Sequence, residues 1–298
     1  MNGKEISLAG WEDRPQLFQL WRTCFHEDRR PAGYFFNNGF RPENCLVVRI
    51  NGRIAAALHM IPARLVQNVG TVPAHYIYGA GTLPEFRSRG LMADLLSMAV
   101  QVGQSRGQMY SFLLPAGETL YHYYEKFGYR SLYKIRVLDI SPERVFCDCR
   151  HEVRTKFIPD ISRIKQIRNE MLETQPGSAQ WSENVLSYTA GINRIYGGKL
   201  LCMEAEGQYG YAVCRPMEDG RCEVTELVCA PGILPQLWLR ILTEMPSSSY
   251  RVRLPVHSLL FPGEGTIEKF GMIRPISEIN EEIMLRNTRD PYLGMMPD

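Results

Sequence analysis

Apolar positions in the first 140 residues switch between a helical and an alternating period. Over Arg14–Phe25, Leu17, Leu20, Trp21 and Cys24 share one helical face. Further on, Leu91, Leu95, Met98, Ala99 and Val102 recur at i, i+4, i+7, i+8 and i+11, which predicts an amphipathic helix stopping near Gly107. Strands are predicted at Glu5–Leu8, Cys45–Ile50, Ile54–Val66, Tyr76–Leu83 and Met109–Leu114, with Asn51 and Gly52 as a hairpin signal. A helix over Glu118–Phe127 ends at Gly128, and Leu132–Ile140 is expected to close this sheet.

The second half repeats the order. Ile164, Ile167 and Met171 mark one helix; Trp181, Val185, Tyr188, Ile192 and Ile195 mark the next. Strands follow at Leu200–Ala205, Tyr209–Cys214 and Cys222–Cys229, then a helix near Leu234–Met245, a strand at Arg251–Val256 and a last helix ending at Gly271. Short echoes suggest duplication: Glu125-Lys-Phe-Gly128 recurs as Glu268-Lys-Phe-Gly271, and Asn51-Gly52-Arg53 corresponds to Glu206-Gly207-Gln208. The expectation is two copies of one α/β unit, each a mixed central sheet flanked by helices. A first domain over 1–140 and a second over 153–285 flank a linker at 141–152, where Pro142 and polar residues interrupt the strands; a tail follows over 286–298.

Composition changes this picture little. With 45% apolar and 22% charged residues in 298, the chain is ordinary globular material with room for two domains. The net charge of +2 lacks the footprint of a nucleic-acid binder, although residues 1–140 carry 16 Lys/Arg against 11 Asp/Glu and the remainder 18 against 21. No stretch approaches a membrane span, and Met1-Asn2 heads neither a signal core nor a myristoylation site. Eight scattered cysteines, Cys147-Asp-Cys149 the nearest pair, form no CxxC and no zinc spacing. Reduced thiols, a cytoplasmic location and no metal are the expectation. Nothing in the sequence specifies an oligomeric state.

One segment carries chemistry. Thr82-Leu-Pro-Glu-Phe-Arg87-Ser-Arg89-Gly90-Leu-Met92 leads from strand to helix with two arginines and a glycine. The first-turn N–H groups of a helix are unpaired and sit at the positive end of its dipole, so this is an anion cradle; the bland reading is a βα turn with solvated arginines. Neither GxxxxGK[ST] nor GxGxxG is present, which excludes the usual nucleotide loops.

The same segment resembles motif A of the GNAT superfamily of acyl-CoA N-acyltransferases, [QR]-x-x-G-x-[GA], with Arg87 and Gly90 in place and Met92 where Gly or Ala is usual. Tyr123-Tyr124-Glu-Lys-Phe-Gly128-Tyr129 resembles that family's second signature, in the right order and at the right distance. The layout is similar to acetyltransferases of the enhanced-intracellular-survival type, in which an active GNAT domain precedes a degenerate one, here without their sterol-carrier-like third domain. The second copy's turn, Val228-Cys-Ala-Pro-Gly-Ile-Leu-Pro235, has no arginine and two prolines that remove donors, so it should not bind CoA.

The resemblance implies tandem GNAT folds and transfer of acetyl from acetyl-CoA to a primary amine by direct attack. Thr82, Leu83, Arg87, Ser88, Arg89, Gly90, Leu91 and Met92 would bind the co-substrate, with the Leu83 N–H at the developing oxyanion. Tyr124 would protonate the departing thiolate. The base is open among Glu118, whose other role is helix capping, the strand residues His59 and His75, and the terminal carboxylate of Asp298; Glu226 on a second-lobe strand could face a cationic acceptor. Other readings are a non-catalytic acyl-CoA sensor, a tandem enzyme acting on a small thiol-containing amine, resembling mycothiol synthases, and an interaction protein.

Overall fold

The computed structural model describes residues 3–144, 159–205, 207–276 and 290–295. In chain order the first half forms β1 (Lys4–Leu8), α1 (Arg14–Phe25), α2 (Arg29–Tyr34), β2 (Cys45–Ile50), β3 (Arg53–Val66), β4 (Thr71–Thr82), α3 (Leu91–Ser105), β5 (Tyr110–Leu113), α4 (Glu118–Glu125), β6 (Arg130–Ser131) and β7 (Lys134–Ile140). The second half forms α5 (Ile161–Leu172), β8 (Ala179–Gln180), α6 (Glu183–Ile195), β9 (Lys199–Ala205), β10 (Gln208–Pro216), β11 (Cys222–Val228), α7 (Leu234–Glu244), β12 (Tyr250–Leu254), β13 (Thr266–Lys269) and β14 (Met272–Pro275). Among the described residues no helix is long and apolar enough to cross a membrane.

Local chemistry explains most of these elements. Asn51 and Gly52 both take left-handed backbone (φ 50° and 79°), as a two-residue hairpin turn requires, and so join β2 to β3. β3 is buried along nearly its whole length, as a strand covered on both faces must be. Ser182 caps α6 by accepting the Val185 N–H, and Asp160 caps α5 by accepting those of Ser162 and Arg163.

The chain divides into two compact units, Met1–Leu132 with Gly271–Thr288, and Tyr133–Phe270 with Arg289–Asp298. Along the first unit's sheet the strand order is β1-β2-β3-β4-β5-β14-β6, and along the second's it is β13-β7-β12-β11-β10-β9. In the first, β4 and β5 are parallel and the other neighbours antiparallel. In the second, β11 and β12 form the parallel pair. Read from β2 and from β9 the two sheets match strand for strand, and in each the parallel pair is bridged by a helix, α3 or α7.

Two expectations need correction. Lys134–Ile140 does not close the first sheet; it lies in the second, pairing with β12 and β13, and β14 fills the equivalent place between β5 and β6. Each unit is therefore completed by a strand from the other half of the chain, and a boundary at 140 cuts through this exchange. The helix expected to end at Gly271 is instead the exposed strand β13. Gly263 and Gly265 ahead of it are left-handed (φ 77° and 89°), which breaks a helix, and a Cβ on Gly265 would come within 2.5 Å of the Val137 carbonyl. The repeated Glu-Lys-Phe-Gly thus begins at the end of a helix in one copy and inside a strand in the other, so that echo is not a structural repeat. The linker over 141–152 is described only to Arg144, and Cys147 and Cys149 lie outside the described residues.

Candidate active site

Two features shape the end of β4. Ala57 faces Gly81 and His59 faces Tyr78, so Gly79 and Ala80 together oppose Leu58 in a bulge. Gly79 is left-handed (φ 56°), and its missing Cβ makes room for the Trp21 ring, which would otherwise lie 2.2 Å away. Glycine inside a strand pattern is the sequence signal for such a bulge, and Tyr78-Gly79-Ala80-Gly81 carries it. The second feature concerns Leu83. Its N–H donates to the Ala55 carbonyl at 2.9 Å, which extends the sheet by one bond and withdraws this donor from any oxyanion. The role expected for the Leu83 N–H is overturned by that bond.

Beyond Leu83 the backbone makes one short helical turn over Pro84–Phe86 and then opens. Ser88 (φ 59°) and Gly90 (φ 75°) are both left-handed and flank Arg89, an alternation that turns successive N–H groups into one concavity. A Cβ on Gly90 would meet nothing within 4 Å, so the space above the turn is open. The first intrahelical bond of α3 runs from the Asp94 N–H to the Gly90 carbonyl at 3.1 Å, and no side chain caps the helix. The N–H groups of Leu91, Met92 and Ala93 therefore lie ahead of the ladder, at the positive end of a 15-residue helix. Met92, at the position where Gly or Ala is usual, packs against the core below α3.

The arginines of this turn are exposed. Arg87 donates to the Thr82 carbonyl at 3.2 Å and Arg89 to the Glu85 carbonyl at 2.8 Å. The guanidiniums of Arg53 and Arg89 lie 5.6 and 5.3 Å from the Phe86 ring centroid. Cys24 of α1 is held beside the Arg87 guanidinium; burial raises its thiol, and Arg87 opposes the rise.

The second signature joins the same core. Tyr121 and Tyr124 of α4 and the nearby Tyr129 pack in one cluster with Leu91, Leu95 and Leu58, and Ala80, Phe86 and Met92 lie against it. The Tyr124 ring meets Tyr123 at 5.4 Å and Tyr129 at 5.8 Å. Burial, then the neighbouring phenols of Tyr129 and Tyr123, push its ionisation far above the usual tyrosine range, so the group stays protonated. Tyr129 is tied to Ser111 at 2.6 Å, and the Tyr121 hydroxyl accepts the Gly271 N–H at 3.1 Å.

The remaining candidates separate clearly. His59 sits in a box of Trp21, Phe35, Phe36 and Phe40 at 2% exposure, and burial pulls its pKa down to about 3. His75 is fully buried and bonded through Nδ1 to Gln108 at 2.7 Å, with its pKa pulled down to about 4 mainly by burial. Both are neutral core imidazoles. Glu118 is exposed in the first turn of α4, where a carboxylate complements the dipole. Glu226 does not face a substrate: at 0% exposure it pairs with Arg168 at 3.2 Å and accepts from the Tyr211 hydroxyl and the Met295 N–H. Asp298 lies outside the described residues, but residues 291–295 of its tail are buried against this pair, with Arg168 donating to the Leu293 carbonyl at 2.9 Å.

Residues 5–132 match the family described as acetyltransferase (GNAT) domain. This segment is a GNAT acetyltransferase domain. The first unit thus carries a GNAT-type N-acetyltransferase domain. A probable N-acyltransferase from Enterococcus faecalis V583 superposes with a TM-score of 0.74 at 17% identity, covering 93% of this chain and 73% of its own. Eis1 from Mycobacterium abscessus gives 0.68 at 15%, covering 92% and 74%. A putative acetyltransferase from Pyrococcus horikoshii gives 0.59 at 15%, covering 100% and 95%. At such identities the likeness is one of fold, and it extends over both units, as in the Eis-like layout. No curated protein matches the chain.

Proposed function

We propose that the first unit transfers acetyl from acetyl-CoA to a primary amine by direct attack within a ternary complex. The observation that carries this reading is the uncapped N-terminus of α3, with left-handed Ser88 and Gly90 ahead of it and open space above Gly90. The N–H groups of Arg89, Gly90, Leu91 and Met92 would hold the pyrophosphate, with the Arg87 and Arg89 guanidiniums beside it and Thr82 and Ser88 on the rim. Bound there, acetyl-CoA supplies an activated thioester. Because the Leu83 N–H is already bonded, the bulge at Gly79 and Ala80 is the better source of an N–H for the developing oxyanion.

Tyr124 acts as the general acid. A phenol held protonated by burial suits delivery of a proton to a leaving thiolate, and its ring shares a core with the first turn of α3. The buried, neutral His59 and His75 are poor bases, which leaves Glu118 or the Asp298 carboxylate, directly or through water. An acetyl-transfer assay over a panel of primary amines tests the assignment. Tyr124→Phe should lower kcat by about 100-fold, within the range for a general acid, and leave the KM for acetyl-CoA unchanged. Unchanged kcat would favour an acyl-CoA sensor.

A further inference from the structure

In the second unit, β11 pairs with β12 only over Cys222–Val224, so its last residues run on without that neighbour. Between the diverging strands lies a cavity of about 490 Å³, within the usual span of small-molecule sites. It is floored by Leu227, Val228 and Cys229 at the end of β11, and walled by Ile167 and Met171 of α5 and by Leu260 beyond β12.

The outer wall is fixed in place. Arg136, 7% exposed, donates to the carbonyls of Ser258 (2.9 Å), Leu260 (2.6 Å), Phe261 (2.6 Å) and Glu264 (2.8 Å), so one buried guanidinium holds the whole turn. Arg144 reinforces it with a bidentate pair to Glu264 at 2.6 and 2.8 Å.

The polar groups of the lining are Glu170, Gln175, Tyr209, His257 and Ser258. Among the described residues the lining contains no lysine or arginine; Glu170 stands at the exposed edge, one carboxylate oxygen accepting from Gln166 at 2.8 Å, and Gln175 contributes a buried Oε1 that has no donor. His257 lies 3.7 Å from the Asp290 carboxylate. Cys229 adds a thiol that burial pushes up to about 12, a small apolar neighbour rather than a nucleophile. With Pro231 and Pro235 at the turn into α7, little remains to hold a phosphate.

We infer that this cavity is a second ligand site and that it takes a hydrophobic amine: an apolar body on the β11 floor, with an ammonium whose N–H groups meet Gln175 Oε1 and the Glu170 carboxylate. The inference is independent of the transfer reading for the first unit, because every residue it uses belongs to the second.

Three probes of one shape test it on the full chain by calorimetry: 4-phenylbutylamine, 4-phenylbutanol and 4-phenylbutanoate. The amine should bind once per chain, more tightly than the alcohol, and the carboxylate weakest. Met171→Trp, which fills the cavity, should abolish binding. Glu170→Gln, on the surface, should weaken the amine by about threefold and leave the alcohol unchanged, the scale of an exposed ion pair. No saturable binding of any probe by folded protein overturns the site. Amine binding that survives Met171→Trp overturns its location, and a carboxylate binding as well as the amine overturns its chemistry. Acetyl-CoA titrated into Met171→Trp should bind as in the wild type, which separates failure of this proposal from failure of the first unit's assignment.

Discussion

The turn from β4 into α3 and the turn from β11 into α7 occupy the same place in two matching sheets, yet they handle charge in opposite ways. The first leaves helix donors uncapped, places two exposed arginines beside them and opens the backbone with left-handed residues at 88 and 90. In the second, a short helical turn over Pro231–Ile233 runs directly into α7, and Pro235 at its start removes a donor. Its unit turns charge inward instead: Arg168 and Glu226, 1% and 0% exposed, satisfy each other and the tail over 291–295. On the proposed function, topology alone does not make an acyl-CoA site; the donors left unpaired at the helix start do.

The comparison is first tested by separating its two halves. A fragment ending at residue 140 lacks β14, which sits between β5 and β6, and carries β7 with no partner strands. It should not fold, as a missing central strand leaves two edges open; a cooperative melt of that fragment would show the exchange to be dispensable. Glu226→Ala comes next, leaving Arg168 buried and unpaired. It should destabilise the protein by about 3–5 kcal/mol in urea, whereas exposed Arg87→Ala should change stability by less than about 0.5 kcal/mol. Equal effects would erase the contrast between the two units.

A smaller effect concerns pH. His59 and His75 are neutral when folded, with pKa values pulled down to about 3 and about 4, whereas unfolded imidazoles titrate near 6.5. Below pH 6.5 the unfolded chain binds protons that the folded one refuses. Stability should therefore fall as pH drops from about 6.5 toward 4, by up to about 1.4 kcal/mol per pH unit for each histidine. His59→Phe should remove one proton's share of that slope, measured by urea unfolding at a series of pH values; an unchanged slope would mean that His59 is protonated in its aromatic box.

Much of this was legible in residues. The Asn51-Gly52 hairpin, the amphipathic period of α3 and the Arg87 to Gly90 spacing are local signals, and each lies where local chemistry puts it. What escaped was non-local. Nothing in Lys134–Ile140 tells which sheet it joins, since its alternation suits either, and β13 has no apolar face to show its period. Glu226 reads as a substrate-facing carboxylate until Arg168, 58 residues away, is seen against it. The Leu83 donor was lost to a sheet bond with Ala55, a partner that only the strand register reveals.

Titration of acetyl-CoA into the full chain by calorimetry reads out whether one turn of the two binds it. One site per chain is expected, with a loss of at least about 100-fold in affinity for Arg87→Ala/Gly90→Glu, the scale of removing charge-assisted hydrogen bonds. Two sites per chain, or binding unchanged in that variant, would contradict that expectation.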